Sequence, residues 1–393
     1  MISLRLKFLG PQVLSQGVIS NLLSVSKRKH AIGANVALQA HTFFKSPMIH
    51  HYLFLYTCLA SRITSPTEQR NSFSSSCEMA STTEEEIEAT CREDTYKLLP
   101  ILKKTSHKGQ AGRVGIIGGS IEFSGAPYFA GMSALRSGAD LVYIFTAENA
   151  APVIKSYSPD LMVLPFLDKP TNLSAPFLTR LHTLVIGPGL GRNETIQKSV
   201  FNIIDELNNL KGTASIPLII DADGIQLLLK KPDLFKSYMG KIYVTPNVNE
   251  FKLLYTFFKG SQALVDNICF DHVKILAERL GNNFTIVLKG PSDIIVNGNL
   301  HVRCSEEGGL KRCGGQGDLL SGVLGAVSYW AFINDFPPEE NHCVPEMLAG
   351  YIACTVVRKS SNKTFKTLGR SMEASDILTN LPSVFKDIYG KAW

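Results

Sequence analysis

From about residue 95 onward, short apolar runs alternate with segments whose apolar residues recur every three or four positions. The runs at 113–118, 141–146, 161–166, 183–186, 218–221, 242–245 and 285–288 are rich in Val, Ile, Leu and Tyr, and several are uninterrupted. An uninterrupted apolar strand is buried on both faces, as in a parallel sheet between two helical layers. Helical patterns fall between the runs at 126–137, 194–209, 224–230, 248–258 and 267–280. This alternation predicts one doubly wound α/β domain, its central sheet mostly parallel and flanked by helices on both faces. After residue 289 the rhythm changes. Residues 294–297 and 300–304 read as a hairpin turned at Gly298-Asn299, and helical stretches at 318–331, 345–360 and 374–380 close the chain.

Composition changes the picture mainly at the N-terminal end. Hydrophobic residues are 45% of the 393 and charged residues 19%, enough apolar mass for a large core in a soluble protein. The net charge of +6 resides in residues 1–78, with eight Lys/Arg and two acids, while the remainder holds thirty-two of each sign. Nothing in the globular part therefore favours nucleic acid. The first 67 residues contain no Asp or Glu and are rich in Ser, Leu and scattered basic residues. That is the composition of a transit peptide for chloroplast or mitochondrion. Met79 opens a second start that would yield a cytosolic form. The apolar stretch 52–60 is too short to span a bilayer, and no other spanning segment is found. The expected organisation is a leader at 1–78, a linker at 79–94 and a catalytic domain at 95–393. The eight cysteines form neither a CxxC pair nor a metal-ligand spacing, and read as reduced, mostly buried thiols in an intracellular setting.

Several chemically suggestive motifs follow the strand runs, where open α/β sheets bind their ligands. The run Lys311-Arg312-Cys313-Gly314-Gly315-Gln316-Gly317-Asp318-Leu319-Leu320-Ser321-Gly322 leaves nearly bare backbone ahead of a helix. Backbone N–H groups and a helix N-terminus suit an anion, and Asp318 at its mouth can take a proton from a hydroxyl. A capping aspartate after a flexible turn is the plainer reading of this segment alone. Gly118-Gly119-Ser120 opens a strand-to-helix loop without the dinucleotide-binding G-x-G-x-x-G spacing. Gly187-Pro188-Gly189-Leu190-Gly191 permits close backbone approach, and also reads as a turn. In Thr245-Pro246-Asn247-Val248-Asn249-Glu250-Phe251, Asn247 or Asn249 can cap a helix. Alternatively, Asn247 and Glu250 position a substrate and a hydrated Mg²⁺ bridging phosphates. Lys289 leaves a buried strand into Gly290-Pro291-Ser292-Asp293, where it can reach a nucleotide phosphate or stand in solvent.

Taken in this order, with Glu122-Phe123-Ser124-Gly125-Ala126-Pro127-Tyr128 and the segment 151–159, the motifs resemble the ribokinase-like superfamily. Within it they are similar to the ATP-dependent NAD(P)H-hydrate dehydratases, over about residues 95–390. The Arg-Cys-Gly-Gly-Gln-Gly-Asp-Leu-Leu-Ser-Gly string is the most specific part. Family members often carry Tyr-Thr where this chain has Phe123-Ser124. The resemblance implies a ribokinase-like fold and repair of NADH or NADPH hydrated at C6 of the nicotinamide ring (NADHX, NADPHX), with ATP as co-substrate and Mg²⁺. It implies Asp318 as base and an ATP site lined by Lys289, Gly290, Pro291, Ser292 and Asp293, with Gly308, Gly309, Leu310, Lys311, Arg312, Cys313, Gly314, Gly315, Gln316 and Gly317. The hydrate site would comprise Gly189, Gly191, Asn247, Val248, Asn249, Glu250, Phe251, Lys252, Leu253 and Asp318, with Glu250 meeting a metal through water. A homo-oligomer is compatible with this reading, and the number of subunits stays open. The competing readings are a vitamin-precursor kinase sharing the Asp318 chemistry, a nicotinamide-dependent dehydrogenase and a silent nucleotide-binding partner.

Overall fold

The computed structural model describes residues 83–169, 175–209, 215–260, 267–333 and 343–390, so the leader expected at 1–78 lies outside the described residues. In chain order the elements are α1 (Glu84–Asp94), β1 (Arg113–Ile117), α2 (Gly125–Arg136), β2 (Leu141–Thr146), α3 (Ala151–Tyr157), β3 (Met162–Pro165), α4 (Ala175–Leu178) and β4 (Thr183–Ile186). They continue with α5 (Glu194–Asn209), β5 (Leu218–Ile220), α6 (Asp223–Lys230), α7 (Pro232–Lys236), β6 (Ile242–Val244), α8 (Val248–Lys259), α9 (Phe270–Leu280) and β7 (Phe284–Leu288). The hairpin β8 (Asp293–Asn297) and β9 (Leu300–Cys304) precedes α10 (Gln316–Ile333), α11 (Pro345–Leu368) and α12 (Ala374–Tyr389).

Among the described residues the strands form one nine-stranded sheet in the order β3-β2-β1-β4-β5-β6-β7-β8-β9. All pairings from β3 to β7 are parallel, and the last two are antiparallel. The apolar strands behave as expected: every residue of β4, β5, β6 and β7 is buried. The chain runs outward from β1 through β2 to β3 and returns to β4 on the other side of β1. That reversal opens a crevice at the carboxyl ends of β1 and β4, the usual ligand position in such sheets. The two loops there are laced together, Gly119 N–H donating to Pro188 O at 3.0 Å and Gly187 N–H to Ile117 O at 2.9 Å.

The structure extends the sequence reading in several places. Residues 84–94, placed in a linker, form α1, which starts in a capping box between Thr83 and Glu86. Buried Glu88 accepts the Ser305 N–H at 2.9 Å and the Tyr351 hydroxyl at 3.0 Å, tying α1 to the loop after β9 and to α11. The helices α3, α4 and α7 span only one or two turns, too few to show a period. Helix α12 continues to Tyr389 through Pro382. Proline cannot donate to the carbonyl four residues back. Here Arg136 donates to that carbonyl, on Leu378, at 3.2 Å.

The reading of all eight cysteines as reduced thiols is corrected for one pair. Cys91 and Cys343 are joined as a disulfide, with Cα atoms 5.9 Å apart and 252 residues between them. No local spacing could reveal a pairing over that distance. Cys58 and Cys77 lie outside the described residues.

Helix α10 is apolar nearly all round and is buried between α2 and α11. Its close approach to α2 requires Gly322, because a Cβ there would lie 1.9 Å from Ala130 O. Gly322→Ala should therefore cost about 1–3 kcal/mol through overpacking. A thermal melt that matches the wild type would refute that account of the α2–α10 contact.

Candidate active site

Parallel strands place their carboxyl ends side by side, so residues distant in sequence meet along one edge. Asp221 follows β5, Thr245 follows β6 and Lys289 follows β7. The Asp221 carboxylate is 1% exposed and accepts the Thr245 hydroxyl at 2.7 Å and the Lys289 ammonium at 2.8 Å. Burial alone disfavours the ammonium, but the charges of Asp221, Glu250 and Asp318 outweigh it and hold the Lys289 pKa above its ordinary value.

The glycine loop brings Asp318 to the same place. Gln316, Gly317 and Asp318 form the first turn of α10, whose leading N–H groups have no carbonyl within the helix. The loop folds back on itself: the Gln316 amide donates to Lys311 O at 3.2 Å and reaches Cys313 Sγ at 3.2 Å. The Lys289 ammonium stands 3.4 Å from where a Cβ on Gly317 would be. Burial pushes the Asp318 carboxyl up to about 7 and the charge of Asp221 adds to the rise, with Lys289 opposing it. A carboxylate poised near neutrality beside free backbone N–H groups can accept a proton from a hydroxyl while the helix end faces an anion.

A cavity of about 340 Å³ opens next to this centre. Its lining includes Asn247, Lys289, Gly290, Pro291, Asp293, Gly308, Arg312, Gln316 and Gly317. The wall is built on Arg358, buried within α11. Its guanidinium donates to both Asp293 oxygens at 2.6 and 2.7 Å, to Pro291 O and Gly290 O at 2.8 Å, and to Glu306 O at 3.3 Å. One side chain thus joins the turn after β7 to the segment entering the glycine loop.

A family model described as NAD(P)H-hydrate dehydratase matches residues 114–383. The chain belongs to the NAD(P)H-hydrate dehydratase family. The mouse protein named ATP-dependent (S)-NAD(P)H-hydrate dehydratase is 42% identical over 294 residues, covering 74% of this chain and 83% of that protein. The protein of the same name from Danio rerio is 44% identical over 297 residues, covering 74% and 86%. Two solved structures share the fold. The Bacillus subtilis ADP/ATP-dependent NAD(P)H-hydrate dehydratase co-crystallised with ATP/Mg²⁺ is 21% identical, with a TM-score of 0.55 over 80% of this chain and 100% of that one. A ribokinase-like superfamily protein from Enterococcus faecalis V583 is 22% identical, with a TM-score of 0.62 over 76% and 94%.

Among the family motifs, the structure brings most of the expected ATP-site residues to the cavity and sends others elsewhere. Ser292 accepts Arg303 at 3.0 Å, Gly309 N–H donates to Ser361 at 3.3 Å, and Leu310 is 80% exposed. Gly315, at φ +91°, lies against Phe129 and Ala374, while Gly314 faces open space. Asp293 reaches the cavity with its carboxylate already engaged by Arg358. In the expected hydrate site, Asn247 caps α8 and forms a capping box with Glu250. Burial raises the Glu250 pKa, Lys289 opposing it. Phe251 is fully buried and stacked on Tyr255, so its side chain belongs to the core. Val248, Asn249 and Leu253 are exposed and Lys252 is half-buried.

The turn carrying Gly189 and Gly191 sits at the β1–β4 crevice. Gly191 N–H donates to Asp223 at 2.9 Å, and the buried Ser120 hydroxyl, with no hydrogen-bond partner among the described residues, lies beside Gly191. Asp221, Asp223 and Arg358 escaped the sequence reading, which had Ser120 only as part of the loop after β1. Asp221-Ala222-Asp223 looks like a strand end running into a helix, and Arg358 lies inside an ordinary helical pattern.

The raised Asp318 has a thermodynamic consequence. Its carboxyl ionises near 3.8 when unperturbed and near 7 in the fold, so the native state binds more protons between these values and loses stability as the pH rises. Asp318→Asn should melt several degrees above wild type at pH 8, with the gain shrinking as the pH falls toward 4. A melting-temperature difference that does not vary with pH would contradict this environment for Asp318.

Proposed function

We infer that this protein restores hydrated NADH and NADPH by ATP-dependent dehydration, releasing ADP and phosphate. The observation that carries the reading is Asp318, half-buried at the mouth of α10 beside Lys289 with its pKa raised to about 7, in a chain whose family is NAD(P)H-hydrate dehydratase.

Asp318 takes the proton of the C6 hydroxyl as that oxygen forms its bond to the γ-phosphorus, and the bond from phosphorus to the bridging oxygen breaks to release ADP. The N–H groups of Gly314–Gly317 hold the charge of the transferring phosphoryl group, and Lys289 faces the phosphates. Phosphorylation is the enabling step. Hydroxide leaves as the base of water, pKa about 15.7, whereas a phosphoryl ester ionises with a second pKa of about 6 and departs as a far weaker base. Loss of phosphate from C6, driven by the ring nitrogen, and of a proton from C5 then restores the double bond. Among the described residues, no trio of His, Cys, Asp and Glu is placed to hold a metal. Glu250, with Asp221 and Asp223 near it, would meet through water a Mg²⁺ arriving on the phosphates, where the ion would offset phosphate charge.

Among the described residues, no helix is long and apolar enough to cross a membrane. The acid-free first 67 residues support a targeting role for the leader. Residues 1–78 fused to a fluorescent protein should label an organelle, and a diffuse cytosolic signal would remove that assignment.

The activity is tested by mixing the protein with hydrated cofactor, ATP and Mg²⁺ and following the return of reduced-nicotinamide absorbance. Asp318→Asn should fold yet lose about 10²–10⁴-fold in kcat, the usual cost of removing a general base. Near-normal turnover in that variant would sink the assignment. Preference for hydroxymethylpyrimidine or pyridoxal over hydrated NADH would favour the kinase reading instead.

A further inference from the structure

We propose that Asp221 is a positioning residue for phosphoryl transfer: it draws the Lys289 ammonium away from Asp318, leaving the Asp318 carboxylate free to take the substrate proton. The proposal rests on the reading of Asp318 as the base, and it adds a part that neither the glycine loop nor the turn after β7 supplies.

The argument begins with charge geometry. A lysine beside a catalytic carboxylate is a hazard, because the two can pair and quench the base. Here the ammonium is 2.8 Å from Asp221. Asp221 in turn is fixed at 2.7 Å by the Thr245 hydroxyl and at its backbone, where its N–H donates to Ile186 O at 3.0 Å. The turn that presents it is strained. Ala222 has φ 46° and ψ −117°, and among the described residues no other non-glycine has positive φ. Such backbone is costly and persists only where its surroundings enforce it. The strained turn aims neighbouring carboxylates at separate tasks: Asp221 at Lys289, and Asp223 at the Gly191 N–H at 2.9 Å. Close packing holds the turn in place. Gly187, at φ +125°, lies so near that a Cβ there would fall 1.8 Å from Asp221 O.

The charged groups around Asp318 come from several elements. Asp221 stands at the end of β5 and Lys289 at the end of β7, with Glu250 on α8 and Asp223 on α6 beyond them. Arg312, in the loop leading to Asp318, is turned to Gly309 O at 3.1 Å. Asp221 and Lys289 act on Asp318 in opposite directions, the first raising its pKa and the second lowering it. Removing Asp221 therefore lowers the Asp318 pKa twice over, by deleting a like charge and by freeing Lys289 to approach.

The test is the single-turnover rate of the full-length protein against pH, together with KM for ATP. Wild type should show an acid limb near pH 7. Asp221→Asn should move that limb down by about one unit, raise KM for ATP about tenfold, and lower the plateau rate. Lys289→Met should move the limb upward, and the double variant should fall between the two. A lower melting temperature in Asp221→Asn with the limb and KM unmoved would make Asp221 merely structural and overturn the proposal. Should Asp221→Asn fail to fold, Thr245→Val loosens the same carboxylate in a similar shape and should raise KM for ATP; an unchanged value then counts against the proposal. Failure of the underlying reading looks different: Asp318→Asn would retain turnover, or wild type would lack the acid limb.

Discussion

The site depends on one ammonium group held by a buried carboxylate at the carboxyl edge of a parallel sheet. Lys289 would be costly to bury alone, and so would Asp221. Paired, with the Thr245 hydroxyl as a third member, they form a fixed charge group at the ends of three adjacent strands. A buried pair of this kind is weak evidence for stability, since its attraction must first repay desolvation. Its value lies in position. It fixes a positive charge beside Gly317 and a negative field beside Asp318, without closing the helix end to an incoming anion.

Around that group the fold supplies approach and enclosure. The apolar strands take burial on both faces, so the polar chemistry collects where the strands stop. Helix α10 buries most of its length and leaves its first turn at the edge of the cavity, so that a core helix presents its N-terminus there. Arg358 performs the corresponding task at the cavity wall, where its five donors bind two loops at once. The same low dielectric that makes Asp318 a stronger base also makes it a burden to the fold above neutral pH. In the proposed role of Asp318 as base, activity and stability are opposed.

Most of the fold was legible in the pattern. Each of the seven apolar runs became a strand within about a residue of its expected bounds, because a doubly buried strand has nowhere to hide a polar side chain. The hairpin at Gly298-Asn299 was equally plain. What escaped were elements too short to show a period, a helix that passes through Pro382 because Arg136 serves the orphaned carbonyl, and α1, whose register depends on where Glu88 finds partners. The Cys91–Cys343 pairing escaped for the same reason, its partners being joined only through the fold.

The sequence by itself determined the sheet and the glycine loop and singled out Asp318 as the candidate base, since these follow from local composition and from motifs read in order. Tertiary structure decided what surrounds that carboxylate. Asp221 and Arg358 carry no local signature, and they matter because adjacent strand ends and a packed helix bring them to Lys289 and Asp293. It also withdrew Phe251 into the core, since alternate faces of α8 point to opposite environments and only packing reveals which face is inside. Electrostatics acts through space, so partners distant in sequence and near in space are visible only once the chain has folded.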